Sequence, residues 1–271
     1  MRSTASGAAL IAQGIFTAFF PSDCRFCGTP LTNISRLPVC PTCLLAIVPL
    51  VDSTCEICGE RLSEISGLQK QICAGCEEMR PHFVKAVAYG AYDGELRELI
   101  HLLKYEQVEP AARELGRMLA QAIQKLGPIT DSIVMVPVPL YRSKRRERGF
   151  NQAELIARAA LEGAALCCEL RTDLLGRTRA TASQIGLTRP QRIENIRGAF
   201  RVLHLNRVVG RTVLVVDDVL TTGTTASECA RILLKAGAEK VWVATVARTL
   251  KESGFESGKL RPQIAAIAKA S

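Results

Sequence analysis

A single run of thirteen residues constrains the fold most: Val213-Leu-Val-Val-Asp-Asp-Val-Leu-Thr-Thr-Gly-Thr-Thr225. Residues 212–216 are apolar and mostly β-branched, the composition of a strand buried on both faces. Such strands belong to parallel sheets covered by helices. The strand delivers two adjacent carboxylates, Asp217 and Asp218, to its carboxyl end, which is where open parallel sheets bind ligands. A loop with four threonines around Gly223 follows, and a helix begins near Thr225. Gly223 lets backbone approach a ligand, free amides at a helix N-terminus favour an anion, and hydroxyls add donors. Carboxylates close to an anion cradle suit a polyol, because they accept hydrogen bonds from vicinal hydroxyls. An isolated Asp-Asp is commonly a solvated turn and a threonine-rich loop commonly a helix cap. Their combination in this order describes a site for ribose 5-phosphate. No Gly-Lys-Thr of a nucleotide-binding P-loop and no Gly-x-Gly-x-x-Gly is present.

The remaining pattern agrees with an α/β domain. Leu96, Leu99, Ile100 and Leu103 recur at helical spacing between Gly94 and Lys104. Ile133 to Val138 reads as a buried strand running into the rigid Pro137 and Pro139. Asn151 to Leu166 reads as a helix with Leu155, Ile156 and Ala159 on one face. Ala226 to Ala236 is a helix stopped by Gly237, and Val241 to Ala247 is a third buried strand. Strands alternating with helices give a parallel sheet flanked by helices over residues 84–248. Residues 1–80 form a separate N-terminal unit, and residues 249–271 a frayed tail.

That N-terminal unit holds eight of the chain's 11 cysteines, in four Cys-x-x-Cys pairs: Cys24 and Cys27, Cys40 and Cys43, Cys55 and Cys58, Cys73 and Cys76. Two thiolates in each tight turn can reach one ion, so the eight make two structural, tetrahedral four-cysteine zinc sites. Spacing alone leaves the pairing open: sequential, or the middle two pairs joined with the outer two closing over them. Metal use of this kind implies a reducing cytoplasm rather than a disulfide framework. Cys167, Cys168 and Cys229 read as buried small apolar residues. The apolar stretch from Ala8 to Phe20 is too short to span a bilayer and reads as an amphipathic helix lying on the body of the protein. No transmembrane segment or signal peptide is expected.

The net charge of +9 suits polyanions, either nucleic acid or phosphorylated small molecules, while an aromatic content of 5% argues against stacking as the main binding device. Five cations fall between Arg142 and Arg148, in a loop after the second proline of Val136-Pro-Val-Pro. The planar guanidinium groups of Arg142, Arg145, Arg146 and Arg148 suit phosphate oxygens of a pyrophosphate or a polynucleotide, and a solvated charge run is the plain alternative. The polar stretch 171–200 carries Arg171, Arg177, Arg179, Arg189, Arg192 and Arg197 and reads as a mobile flap. The three histidines are scattered and join no metal or triad pattern.

The 213–225 run resembles the signature of type I phosphoribosyltransferases, which bind phosphoribosyl pyrophosphate (PRPP). More of the chain, from about residue 15 to 248, resembles the competence protein F (ComF) family, also described as amidophosphoribosyltransferase-like. There a double zinc ribbon precedes the type I phosphoribosyltransferase fold. The matching segments here are Tyr89 to Tyr105, as an entry helix ending in Lys104-Tyr105, then Val136-Pro-Val-Pro-Leu140 and Arg148-Gly-Phe-Asn-Gln152. Arg177, Gln184, Leu187, Arg189, Asn195 and Phe200 complete the likeness. The resemblance implies that Asp217 and Asp218 hold the ribose hydroxyls and that Thr221, Thr222, Gly223, Thr224 and Thr225 hold the 5-phosphate. It implies pyrophosphate contacts for Arg142 and Arg148 and hood contacts for Gln184 and Arg189. It further implies Mg²⁺ bound with PRPP, Asp217, Asp218 and Arg142 as the catalytic set, and a link to DNA uptake in natural transformation. Single-stranded DNA and DNA-uptake proteins are the implied partners. The alternatives are a non-catalytic single-stranded-DNA-binding competence factor and a PRPP-sensing regulator.

Overall fold

Apolar strands that alternate in what they bury demand cover on both faces, and the chain supplies it from two sets of helices. The computed structural model describes residues 22–31, 36–51, 53–62, 71–129, 133–163, 166–182 and 186–250. The apolar stretch 8–20, Gln184 and residues 251–271 lie outside the described residues.

Five strands form one all-parallel sheet: β1 (Lys85–Ala91), β2 (Ile133–Pro137), β3 (Glu169–Leu170), β6 (Thr212–Leu220) and β7 (Lys240–Arg248), in the order β1-β7-β6-β2-β3. Side chains alternate across it with the period of two that the pleat imposes. Met135, Leu214, Val216, Ala244 and Val246 pack on one face, against α3 (Gly94–Tyr105), α4 (Ala111–Gln124) and α6 (Gln152–Gly163). Val134, Val136, Val213, Val215, Val241 and Val243 pack on the other, with Ala226, Cys229 and Leu233 of α8 (Thr224–Lys235).

Each half of the cysteine region packs on a different face. Leu31, Leu37, Val39 and Ile47 of the first half, which contains α1 (Pro41–Leu45), join the α3–α4–α6 core. Ile57 and Cys76 of the second half, which contains α2 (Ala74–Glu78), join the α8 core beside Phe83. Among the described residues, no helix is long and apolar enough to cross a membrane.

Several expectations need correction. Tyr89 to Ala91 belong to β1, so the entry helix starts at Gly94, and β1 rather than β2 is the first strand of the sheet. The cause is that residues 86–90 are buried between the two cores, which favours strand pairing with β7 over helix. The basic segment is not a loop but a two-turn helix, α5 (Arg142–Arg148). Lys and Arg are good helix formers, Lys144 pairs with Glu147 at 2.8 Å, and Gly149 closes the helix in the left-handed region at φ 80°. Within the segment 171–200, β4 (Leu175–Arg177) pairs antiparallel with β5 (Phe200–Val202), and α7 (Arg189–Ile196) begins with a Thr188–Gln191 capping box. Leu174, Leu175, Ile196 and Phe200 are buried against the α8 side, which fastens this segment to the core. Helix α4, rich in alanine, was not anticipated.

Helices α4 and α6 approach closely at Gly116. A methyl group there would lie 2.5 Å from the Ala159 side chain and 2.8 Å from the Ala159 carbonyl carbon and the Ala160 nitrogen. Gly116→Ala gains up to about 1 kcal/mol of helix propensity but forces the helices apart, at a typical overpacking cost of about 1–3 kcal/mol. Urea unfolding is expected to show a lowered midpoint with an unchanged slope; an unchanged or raised midpoint would show that the contact yields without cost.

Candidate functional site

The central strand β6 runs four residues further than its apolar stretch, through both carboxylates to Leu220. Its two neighbours end differently. On the β2 side, pairing stops at Pro137 opposite Val216, with Val138 N–H donating to Val216 O at 2.8 Å. On the β7 side, pairing continues from Asp217 opposite Thr245 to Leu220 opposite Arg248. Asp217 and Asp218 therefore sit on ordered strand with one edge open, at the carboxyl end of a parallel sheet.

The pleat makes the two acids unequal. Asp218 follows the alternation of Leu214 and Val216 toward α3. There Lys104 Nζ lies 2.6 Å from Asp218 Oδ2, with both side chains largely buried. The other oxygen, Oδ1, accepts from Val219 N–H at 2.7 Å. Asp217 follows Val213 and Val215 toward the α8 side, where its charge is felt by Cys229 and Arg177. Its Oδ1 accepts from Asp218 N–H at 2.9 Å. Burial, reinforced by the charge of Asp218 and only partly offset by Lys104, pushes the Asp217 carboxyl up to about 8. Burial alone would lower the Lys104 ammonium, but Asp218 and Asp217 outweigh it and hold the group above its ordinary value. Lys104 was legible only as part of a Lys-Tyr motif and was not singled out as a site residue. The available signal was its place one turn beyond Ile100, on the buried face of an amphipathic helix.

The threonine loop starts at the end of β6. Thr221 and Thr222 are exposed and Thr224 is buried. Gly223 is the N-cap of α8 in the left-handed region, at φ 76°, a conformation that disfavours any side chain. The Thr222 and Thr224 hydroxyls lie 3.1 Å apart, and Ser227 N–H bonds to Gly223 O at 2.8 Å. The preceding amides at this helix start form the anion-favouring end of a twelve-residue helix. A cavity of about 250 Å³ borders Thr222, Gly223 and Thr224 on the side of His82, Arg197 and Arg231. Another of about 270 Å³ borders Thr221 and Thr222 on the side of Cys58, Arg192 and Arg248. Neither includes Asp217 or Asp218.

Of the expected pyrophosphate ligands, Arg148 is brought against Tyr105, the neighbour of Lys104 in the chain. Its guanidinium lies 5.6 Å from the centre of the Tyr105 ring, at the end of α3, and donates to Gln152 Oε1 at 2.8 Å. Asn151 anchors that turn by donating to Val138 O at 3.0 Å and accepting from Ala153 N–H at 3.1 Å. Arg142, at the start of α5, is exposed. Arg189 opens α7. Arg177, on β4, was foreseen as part of the flap and of the family likeness, but not as a site residue. It is partly buried over the Phe200 ring at 5.4 Å and bonds to Thr181.

The cysteines form two sequentially paired clusters, Cys24, Cys27, Cys40, Cys43 and Cys55, Cys58, Cys73, Cys76, with the sulfurs of each within 4.8 Å of one another. Sulfur separations of 3.9 Å for Cys24–Cys43, 3.7 Å for Cys27–Cys40 and 3.6 Å for Cys58–Cys73 match the edge of a zinc tetrathiolate. With Zn–S near 2.3 Å, that edge is about 3.8 Å. Both halves use the same turn: Gly28 N–H bonds to Cys24 O and Gly59 N–H to Cys55 O, each at 2.8 Å. The donor sets thus fit zinc and leave no open position. The second site is tied to the sheet: Arg248, at the end of β7, donates to Cys58 Sγ at 3.4 Å and to Glu60 Oε2 at 3.0 Å.

The state of Asp217 has a consequence for stability. The folded chain keeps a proton that the unfolded chain releases near the ordinary carboxylate value of about 4. Stability should therefore fall as pH rises from there to about 8 and level off above. Asp217→Asn should flatten this slope and exceed the unmodified chain in Tm at the upper end. Parallel Tm–pH curves for the two would contradict the raised Asp217 carboxyl.

Residues 146–259 match the phosphoribosyl transferase domain, and residues 15–79 match the double zinc ribbon domain. The DNA utilization protein YhgH of Escherichia coli (strain K12) is 34% identical over 234 residues, covering 85% of this chain and 98% of the relative. Competence protein F of Haemophilus influenzae is 30% identical over 234 residues with the same coverage. A looser likeness joins the structure titled the allosteric regulatory enzyme of purine biosynthesis, at 26% identity and TM-score 0.32, over 51% of this chain and 26% of that one. A parallel sheet ending in an acid pair and a threonine loop, behind two four-cysteine ribbons, thus has full-length relatives, and the chain belongs to the ComF/YhgH family of double-zinc-ribbon, phosphoribosyltransferase-domain proteins.

Proposed function

We propose that the chain binds PRPP or a related phosphoribosyl ligand at the end of β6. The observation that carries this reading is the continuity of the acid pair with the helix-capping threonine loop, on one strand with an open edge. The amides and hydroxyls of residues 221–225 take the 5-phosphate. Asp217 takes ribose hydroxyls, and Asp218 orders the strand end beside it. Arg142 and Arg148 take pyrophosphate oxygens, and the segment of Gln184 and Arg189 closes over the sugar. A Mg²⁺ bound with the ligand would supply further neutralisation of the leaving pyrophosphate's charge, beside Arg142 and Arg148.

In an enzyme of this kind the C1–O bond to pyrophosphate breaks with oxocarbenium character. The electron pair leaves with the pyrophosphate, and a nitrogen nucleophile then attacks C1. This chain's own contribution is to bind the 5-phosphate, orient the ribose, stabilise the departing charge with arginine and keep water from the sugar cation. A second reading, a single-stranded-DNA contact, is favoured by the exposed basic helix α5. It accords with the names of the relatives, a DNA utilization protein and a competence protein. The two readings are compatible, with the phosphoribosyl ligand as regulator of a DNA-handling protein.

Titration calorimetry of PRPP, with and without Mg²⁺, tests the leading reading on zinc-loaded chain. Measured at about pH 9, above the value to which Asp217 is raised, Asp217→Asn should weaken binding by at least about tenfold, the scale of one lost charge-assisted hydrogen bond, while the protein remains folded by circular dichroism. Equal affinities would remove the assignment. Absence of PRPP binding, together with single-strand binding that falls steeply with salt, would leave the DNA reading in its place.

A further inference from the structure

The acid pair carries a cation that the chain itself supplies. Helix α3 buries Leu96, Leu99, Ile100, Leu102 and Leu103, and Lys104 in its last turn continues that inward face. Its side chain is only 13% exposed. A buried ammonium costs several kcal/mol unless it is paired and hydrogen-bonded. Here it is paired with Asp218 at 2.6 Å, and Asp217 adds to the attraction. An ammonium has three donors, and Asp218 is its one protein partner among the described residues.

The same contact bears on divalent metal. Mg²⁺ demands near-octahedral oxygen coordination at about 2.0–2.1 Å. Among the described residues, the only groups of three or more metal-ligating side chains are the two cysteine clusters, so no third such ligand joins the acid pair. One oxygen of Asp218 lies against Lys104 and the other accepts from the backbone. With both oxygens so engaged, Asp218 is poorly placed to hold a resident Mg²⁺ without displacing Lys104.

We propose that Lys104 takes the place of a divalent cation at the ribose end of the site, pinning Asp218 and offering its two remaining N–H donors to ribose oxygens. The proposal rests on the phosphoribosyl reading above and refines it. A ribose monophosphate then binds without Mg²⁺, and only a ligand that brings its own pyrophosphate recruits the metal. Lys104 is a ligand-binding residue as well as a support for Asp218.

The test is calorimetry with ribose 5-phosphate on zinc-loaded full chain, in buffer freed of divalent ions before the protein is added and again with Mg²⁺ added. The unmodified chain is expected to bind with an affinity that Mg²⁺ changes by less than about twofold, a few tenths of a kcal/mol. Lys104→Met should bind at least about tenfold more weakly without Mg²⁺, the scale of a lost charged hydrogen bond, and should regain part of that loss when Mg²⁺ is added. Lys104→Arg should remain Mg²⁺-independent. A merely structural lysine would lower Tm in Lys104→Met without creating a Mg²⁺ dependence. Strong Mg²⁺ dependence in the unmodified chain, or Lys104→Met binding like the unmodified chain, overturns the proposal and leaves the phosphoribosyl reading standing. If Lys104→Met does not fold, the unmodified chain and Lys104→Arg decide by the same criterion. A folded, unmodified chain that binds neither ribose 5-phosphate nor PRPP removes the reading and the proposal together.

Discussion

The hydrogen bonding of β6 between β2 and β7 is the constraint on which the rest of the site depends. It buries Val213 to Val216 completely, and it carries order past the point where β2 stops. Two carboxylates at a frayed loop would be hydrated and mobile. Held on a strand with one neighbour, they keep fixed and opposite orientations. The pleat sends Asp218 toward α3 and Asp217 toward α8, and their different electrostatic surroundings follow from that division. Buried like charges this close are costly unless one is paired and the other neutralised. Lys104 pairs with Asp218 on one side, and on the other burial and the Asp218 charge push the Asp217 carboxyl up to about 8.

The cysteine ribbons join this arrangement as supports rather than as appendages. The second ribbon lies against the end of β7 through the buried Arg248, which contacts both Glu60 and a cysteine of the cluster. Arg248 is in register with Leu220, and the next residue, Thr249, donates its N–H to Leu220 O at 3.1 Å. Leu220 is the last residue before the threonine loop. A short covalent and hydrogen-bonded path therefore connects the second metal site to the phosphate cradle. Closed four-thiolate coordination has no chemistry of its own, and its contribution here is to hold that strand end in place.

Much of this was legible in the sequence because it rests on local patterns. Apolar runs announced β2, β6 and β7, and Cys-x-x-Cys spacing announced the two clusters. The order of acids, threonines and glycine announced the site. What was not legible depends on partners distant in sequence. The pairing of the cysteines required the fold, since spacing permits two schemes. Strand β1 escaped because three of its seven residues are alanine and one is glycine, types depleted in strands, so the run does not look β-forming until paired with β7. The helical state of 142–148 needed the capping role of Gly149. Lys104 looked like an ordinary last-turn lysine favoured by the helix dipole; only the approach of α3 to Asp218, 114 residues later in the chain, gives it a role in the site.

The central claim is that ribose 5-phosphate is held at the junction of β6 and α8. Backbone amide NMR of isotopically labelled, zinc-loaded protein titrated with ribose 5-phosphate tests it most directly. The account predicts saturable shifts concentrated at Asp217, Asp218 and residues 221–225, with the largest changes at the amides that begin α8. Shifts centred instead on the basic helix α5, with residues 221–225 unmoved at saturation, would contradict it.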